Sequence, residues 1–235
     1  MLILYEYIER FFVHYGYTVE MLFAVSIFAF HLERRNWFIL RAAGSYCLVL
    51  AGYAVFYRSL AWQSIGLTLL FYFFIDLLIC LSLGLCFHAS GWTRLFVLTG
   101  ADITQHIAFR IYSVVLSFSG LGYEGIGSGI LNGCIIAAVY LMVFGIFRKQ
   151  LKDIREYVYN GRANIVLGVL VFAVAFLIFQ FENQYDFMRT NPEINLLFSA
   201  YAILANAFLL ALLYSIFQSR KMTGEMEMLE DVIDR

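Results

Sequence analysis

Seven apolar runs, each close to the length of a bilayer crossing, follow one another along this chain of 235 residues. A hydrocarbon core about 30 Å thick requires about 20 apolar residues in a helix, and only the first and sixth runs are short. The pattern predicts an all-α, polytopic transmembrane helix bundle with seven spans, or with six if the first run only lies on the membrane. The runs are Tyr17–His31, Phe38–Tyr57, Ile65–Phe87, Leu95–Phe118, Ile126–Phe147, Ala163–Phe181 and Ile194–Phe217.

The composition favours the same class of protein. Hydrophobic residues make up 62% of the chain and charged residues 14%, which leaves too little polar surface to coat a water-soluble globule. A net charge of -1 and the lack of a basic patch predict no nucleic-acid partner. We therefore expect a multi-pass protein of the cell membrane whose immediate partner is lipid. The four cysteines have no CxxC spacing and are interpreted as small buried hydrophobes, not as disulfides or metal ligands: Cys47, Cys80, Cys86 and Cys134.

Basic residues are distributed unevenly between the gaps, and this distribution predicts the topology. Twelve of the sixteen lysines and arginines fall in alternate gaps and the C-terminal tail, three fall on the opposite side, and Arg110 lies inside the fourth run. Because basic loops stay in the cytoplasm, the N-terminus is predicted outside and the C-terminus inside. The twelve are Arg34, Arg35, Arg41, Arg94, Arg148, Lys149, Lys152, Arg155, Arg162, Arg220, Lys221 and Arg235.

Three segments follow from this topology. Residues 1–16 have the apolar spacing of a short amphipathic helix on the membrane surface. Residues 17–218 form the bundle, and residues 219–235 form a cytoplasmic juxtamembrane helix. In this last segment, apolar residues spaced four, three and four apart are typical of the start of a coiled coil, although an exposed helix without a partner fits as well. These residues are Met222, Met226, Leu229 and Ile233.

The fourth run contains the densest set of polar residues within an apolar segment. Asp102, His106 and Arg110 are spaced by four and share one helical face, with Gln105 beside them. A charge at the centre of a bilayer costs about 2.5–3.5 kcal/mol on insertion scales, so this face should point into the bundle. Similar depth in the membrane predicts two pairs across the bundle. These are Glu20 with Arg110, and Asp76 with His106.

These polar residues have two open interpretations. They can join helices through hydrogen bonds, which is a common use of polar side chains in bundles. They can also form a ligand pocket or a relay that carries a signal or a proton. The histidines have no metal-ligand spacing, and no metal site is expected.

Several stretches together resemble the N-terminal membrane sensor region of GHKL-type sensor histidine kinases of Gram-positive bacteria, including the peptide-quorum kind. The resemblance rests on the succession of spans, the basic stretch His31–Arg41, the phrase Thr104–Tyr112 and the Glu/Met/Leu tail. It implies a homodimeric sensor for an extracellular peptide or small ligand, acting on a response regulator through a kinase region. That region would follow this chain and would bind ATP and Mg²⁺, so no catalytic residue and no cofactor are expected within these 235 residues.

Other functions remain open at the level of sequence. A small transporter or channel could use the stripe of Glu20, Asp76, Asp102, His106 and Arg110 as its path, although no internal repeat supports it. A scaffold without a ligand is a third reading. An intramembrane enzyme ranks last because no nucleophile and base lie at a suitable spacing.

Overall fold

The structure, a computed structural model, describes residues 16–59, 65–121, 125–151, 169–177 and 192–233. Its regular structure is helical throughout these residues. Seven helices follow in chain order: α1 Gly16–Phe28, α2 Phe38–Ser59, α3 Ile65–Cys86, α4 Gly91–Ser119, α5 Ile126–Leu151, α6 at residues 169–177 and α7 Pro192–Ile233. The predicted helix over residues 1–16 and most of the sixth run lie outside the described residues.

Helix α4 is the central element of the bundle. It begins at an N-cap in which the hydroxyl of Ser90 accepts a hydrogen bond from the backbone N–H of Thr93 at 3.2 Å, and it ends at Gly120 with φ 69°. Both ends follow the usual chemistry, since serine satisfies a free N–H and glycine adopts the left-handed conformation without a side-chain clash. Every residue from Phe96 to Ala108 is buried, so this helix is surrounded on all sides.

The other helices are arranged around α4. Helix α7 packs along it most extensively, α5 and α3 also contact it, and α2 packs on α3. Helix α1 approaches α4 closely at Gly100, where a Cβ atom would lie 2.7 Å from the ring of Phe28. That ring is itself held against Phe147 of α5, with ring centroids 6.0 Å apart. A glycine at position 100 is therefore needed for the two helices to meet.

Among the described residues, four helices are long and apolar enough to cross a membrane, which confirms a membrane-type helix bundle. They contain the segments Phe38–Phe56, Gly66–Cys86, Gly127–Phe147 and Pro192–Ser215. Their large apolar side chains, such as Ile39, Leu141 and Leu204, are exposed on the outside of the bundle, as expected where lipid is the solvent. The described part of α1 covers 13 residues, Gly16–Phe28, and α4 is rich in polar residues that the surrounding helices cover.

The exposure of the cysteines differs from the sequence interpretation. Cys86 is buried, but Cys47 and Cys134 are exposed on the surface of the bundle, and Cys80 is intermediate. The two exposed thiols sit in the apolar helices α2 and α5. An apolar face of a membrane helix can contact lipid as well as protein. The apolar sequence around Cys47 and Cys134 therefore does not show that these thiols are buried within the protein.

Two connecting segments meet at one end of the bundle. The segment after α1 and the segment after α3 pair as an antiparallel bridge between Arg34 and Phe87. Backbone hydrogen bonds flank this bridge, from the N–H of Arg35 to the carbonyl of Cys86 at 2.9 Å and from the N–H of His88 to the carbonyl of Glu33 at 2.8 Å. The segments that follow the first and the third apolar run, both of which contain basic residues, therefore lie side by side.

Candidate functional site

The polar residues of α4 form the candidate site together with partners from the surrounding helices. We call the set the polar core. Asp76, Asp102, Gln105, His106 and Arg110 are all buried, and Glu20 is partly buried. The face of α4 that carries them points into the bundle, where polar groups avoid contact with lipid.

The centre of the polar core contains two carboxyl groups. Those of Asp76 on α3 and Asp102 on α4 lie close enough to interact electrostatically, and Tyr17 of α1 lies within the same field. On α4 itself, Nε2 of His106 is 3.6 Å from Oδ1 of Asp102. The second oxygen, Oδ2 of Asp102, has no hydrogen-bond partner among the described residues.

This arrangement differs from the predicted pair of Asp76 and His106. The imidazole lies beside the carboxylate of Asp102, one turn earlier on the same helix, because residues four apart in a helix are neighbours. Asp76 instead faces Asp102. Similar depth in the membrane did not identify the partners, because the direction in which each helix turns its side chains decides which residues meet.

Glu20 joins three helices. Its carboxylate accepts hydrogen bonds from Nε2 of Gln105 on α4 at 3.2 Å and from Nδ2 of Asn132 on α5 at 2.8 Å. Its backbone carbonyl accepts a third bond from the hydroxyl of Tyr140, also on α5, at 3.0 Å. The predicted ion pair with Arg110 is not formed. Neutral amides satisfy this carboxylate in place of a cation.

Arg110 is directed toward α7. Its guanidinium lies over the ring of Phe198 on that helix, 5.1 Å from the centroid, and over the ring of Phe109 on its own helix at 5.5 Å. A cation over an aromatic face is attracted by the ring quadrupole, and more strongly where water is excluded. Arg110 therefore links the polar core to α7.

Further along α4, a hydrogen-bond network joins the same two helices. Oδ1 of Asn195 on α7 accepts a bond from the hydroxyl of Ser113 at 3.2 Å, and its Nδ2 donates to the carbonyl of Ser113 at 3.2 Å and to the hydroxyl of Ser117 at 2.6 Å. The hydroxyl of Ser199 also donates to Oδ1 of Asn195, at 3.2 Å. Asn195 is completely buried.

Sequence reasoning missed three of these residues. Asn132, Tyr140 and Asn195 each lie within or beside an apolar run, where an amide or a hydroxyl group needs a partner. That requirement is the signal that could have identified them. A lone asparagine in a membrane helix is expected to bond to a neighbouring helix, which is what Asn132 and Asn195 do.

The arrangement limits the chemistry of the site. Within the described helices, Asp76 and Asp102 have no basic partner on a neighbouring helix, and two such buried carboxyl groups can hold a proton or a monovalent cation. Among the described residues, no group of three or more His, Cys, Asp or Glu side chains could hold a metal ion.

The four residues predicted to start a coiled coil all lie in the last part of α7, which is helical to Ile233. Met226 is 62% exposed. Pairing of this segment with a second copy stays a prediction.

Comparison with protein-family models, with curated proteins and with solved structures gave no match to this chain. Nothing in these comparisons identifies a sensor histidine kinase region.

Proposed function

We propose that this chain is the membrane sensor module of a two-component signalling system, with seven spans, an external N-terminus and a cytoplasmic C-terminus. In this proposal the polar core around α4 responds to a stimulus, and α7 transmits the response to a kinase region that follows Arg235. The stimulus is an extracellular peptide or small ligand, the module acts as a homodimer, and the kinase region phosphorylates a response regulator.

The observation that carries the proposal is the length of α7. It runs without a break over 42 residues, which corresponds to about 63 Å at 1.5 Å per residue. Its apolar part, Pro192–Ser215, has 24 residues, which is enough for the hydrocarbon core. The remaining 18 residues extend about 27 Å beyond it as the same helix. Because no flexible segment interrupts this helix, a rotation or shift of its membrane part also moves the part beyond the membrane surface.

The contacts between α4 and α7 support the same proposal. Asn195 and Phe198 of α7 bind Ser113, Ser117 and Arg110 of α4. A change in charge or hydration within the polar core therefore acts directly on the helix that leaves the membrane. Signalling of this type needs an element with two arrangements that the stimulus biases.

The experiment joins a kinase region of known activity to Arg235 through linkers that grow by one helical residue at a time. Each added residue rotates the kinase by about 100° relative to α7, so autophosphorylation in membranes should rise and fall with a period of about 3.6 residues. In the most active fusion, Asn195→Leu should alter the basal level, whereas Asn206→Leu, which affects only a bond within α7, should not. Equal activity at all linker lengths and in both variants would refute the proposal.

A second function, a proton-coupled or cation-coupled transporter, is favoured by one observation. Asp76 and Asp102 are both buried and interact electrostatically within the bundle, and buried carboxyl groups of this kind are typical of ion pathways. In proteoliposomes carrying a pH-sensitive dye, a transporter would give proton flux that Asp102→Asn abolishes. The absence of flux above empty liposomes would exclude this alternative.

A further inference from the structure

A cavity of about 420 Å³ lies between α1, α2 and α3, apart from the polar core. Its walls are mainly apolar side chains, among them Leu22 of α1 and Ile79 of α3. The volume falls within the range of about 300–1,000 Å³ found for small-molecule sites. No residue of the polar core lines it, so the cavity needs an explanation of its own.

One end of this cavity carries an arginine. Arg34 lines the cavity, and its guanidinium lies over the ring of Phe38 at 4.8 Å. Within the described part of the chain, this guanidinium has no carboxylate and no carbonyl partner. Its neighbours differ, because Arg35 donates to the carbonyl of Phe87 at 3.0 Å and Arg41 to that of Leu85 at 3.1 Å. Of the described residues Arg34, Arg35 and Arg41, Arg34 is therefore the one whose guanidinium is available to an anion.

A second polar group lies deeper in the same cavity. Ser82 of α3 lines it and is only 6% exposed, and its hydroxyl has no hydrogen-bond partner among the residues described. A buried serine in a membrane helix ordinarily donates to the carbonyl one turn earlier. Ser82 lies five residues before Phe87, or about 7.5 Å along the helix axis. An anion-binding group at the mouth is thus followed by a hydroxyl donor further in.

The mouth of the cavity has the character of a membrane interface. Trp37, three residues after Arg34, is 79% exposed, and Ile39 and Leu40 beside it are also exposed. Tryptophan is enriched at the level of lipid headgroups, and basic residues there attract anionic lipids. Arg34 therefore lies at the depth where a lipid phosphate is found.

We propose that this cavity binds one anionic phospholipid, with an acyl chain between α1, α2 and α3 and the phosphate at Arg34. Ser82 donates its hydroxyl to the ester carbonyl, which lies below the phosphate in such a lipid. The lipid site is independent of whether the chain is a sensor or a transporter, since the cavity contains no residue of the polar core.

The test is native mass spectrometry of the full chain in detergent micelles, titrated with phosphatidylglycerol, with phosphatidylcholine of the same acyl chains, or with the free fatty acid. Phosphatidylglycerol should bind at one per chain, about tenfold more tightly than phosphatidylcholine. Arg34→Gln should remove most of that difference. Arg94→Gln is the matched control, because Arg94 carries the same charge near the same end, does not line the cavity and bonds to the carbonyl of Ser90 on its own helix.

A second pair of variants tests the acyl chain. Ala42 lines the cavity, whereas its neighbour Ala43 is exposed and does not. Ala42→Phe should abolish the bound lipid, and Ala43→Phe should leave it in place. Retention of lipid in Ala42→Phe, or equal affinity for the two headgroups, would overturn the proposal. Tighter binding of the free fatty acid than of phosphatidylglycerol would overturn it as well, since the occupant would then not be a phospholipid.

Discussion

Asn195 and Asn206 offer a sharp test of how α7 is held, because the same substitution in one helix should have opposite effects. Both asparagines are completely buried. Asn195 makes three hydrogen bonds to α4, whereas the amide of Asn206 donates only to the carbonyl of Ala202 on its own helix, at 2.9 Å. The oxygen Oδ1 of Asn206 has no partner within the described residues.

The expected magnitudes follow from these bonds. An interhelical hydrogen bond in a membrane protein contributes about 0.6 kcal/mol on average, so losing three should cost about 2 kcal/mol. Leucine has a similar volume, and Asn195→Leu should lower the free energy of unfolding by that amount. Asn206→Leu removes a buried oxygen that is not satisfied, and should leave stability unchanged or raise it by up to about 1 kcal/mol.

The assay is unfolding of the purified chain in mixed micelles of increasing dodecyl sulfate content, followed by circular dichroism. The difference between the two variants should be at least about 2 kcal/mol. Equal destabilisation would refute the reasoning, because it would mean that the hydrogen bonds from Asn195 to α4 contribute no more than a bond within α7.

Three further outcomes can be checked by the same unfolding assay. Gly100→Ala should lower the free energy of unfolding by about 1–3 kcal/mol, because the new Cβ would meet the packed ring of Phe28. Gly133→Ala should not destabilise the protein, because no atom lies within 4 Å of the new Cβ. Equal effects of the two substitutions would contradict the close approach of α1 to α4. Asp76→Asn removes one of two neighbouring buried carboxyl groups and should raise stability at pH 7 by roughly 1 kcal/mol, so a clear loss of stability would contradict their unfavourable interaction. Tyr140→Phe should cost about 1 kcal/mol through the lost hydrogen bond to the α1 backbone, and an unchanged free energy would show that this bond contributes nothing.

The sequence predicted a bundle of apolar helices because lipid imposes a simple requirement. Apolar runs of about 20 residues become helices, and the face of α4 with Asp102, His106 and Arg110 turns away from lipid. Both results need only the spacing of residues along one helix. The polar face is buried in the structure as predicted, and so is every other residue from Phe96 to Ala108.

The partners within the site could not be predicted in the same way. Pairing Glu20 with Arg110 used depth in the membrane, which fixes the position along the helix axis but not the rotation about it. Helix α1 turns Glu20 toward Gln105 and Asn132, and α4 turns Arg110 toward Phe198. The rotation of each helix about its axis is set by its packing against helices that are distant in sequence. A single sequence does not show which helices pack together.

The bonds of Glu20 also affect the order in which the protein assembles. The carboxylate of Glu20 on α1 is satisfied by Gln105 and Asn132, which lie 85 and 112 positions later in the chain. While the ribosome is still making α4 and α5, those partners do not exist. The side chain of Glu20 can therefore make both of its final hydrogen bonds only after α4 and α5 have been synthesised, so the final docking of α1 is a late step of assembly.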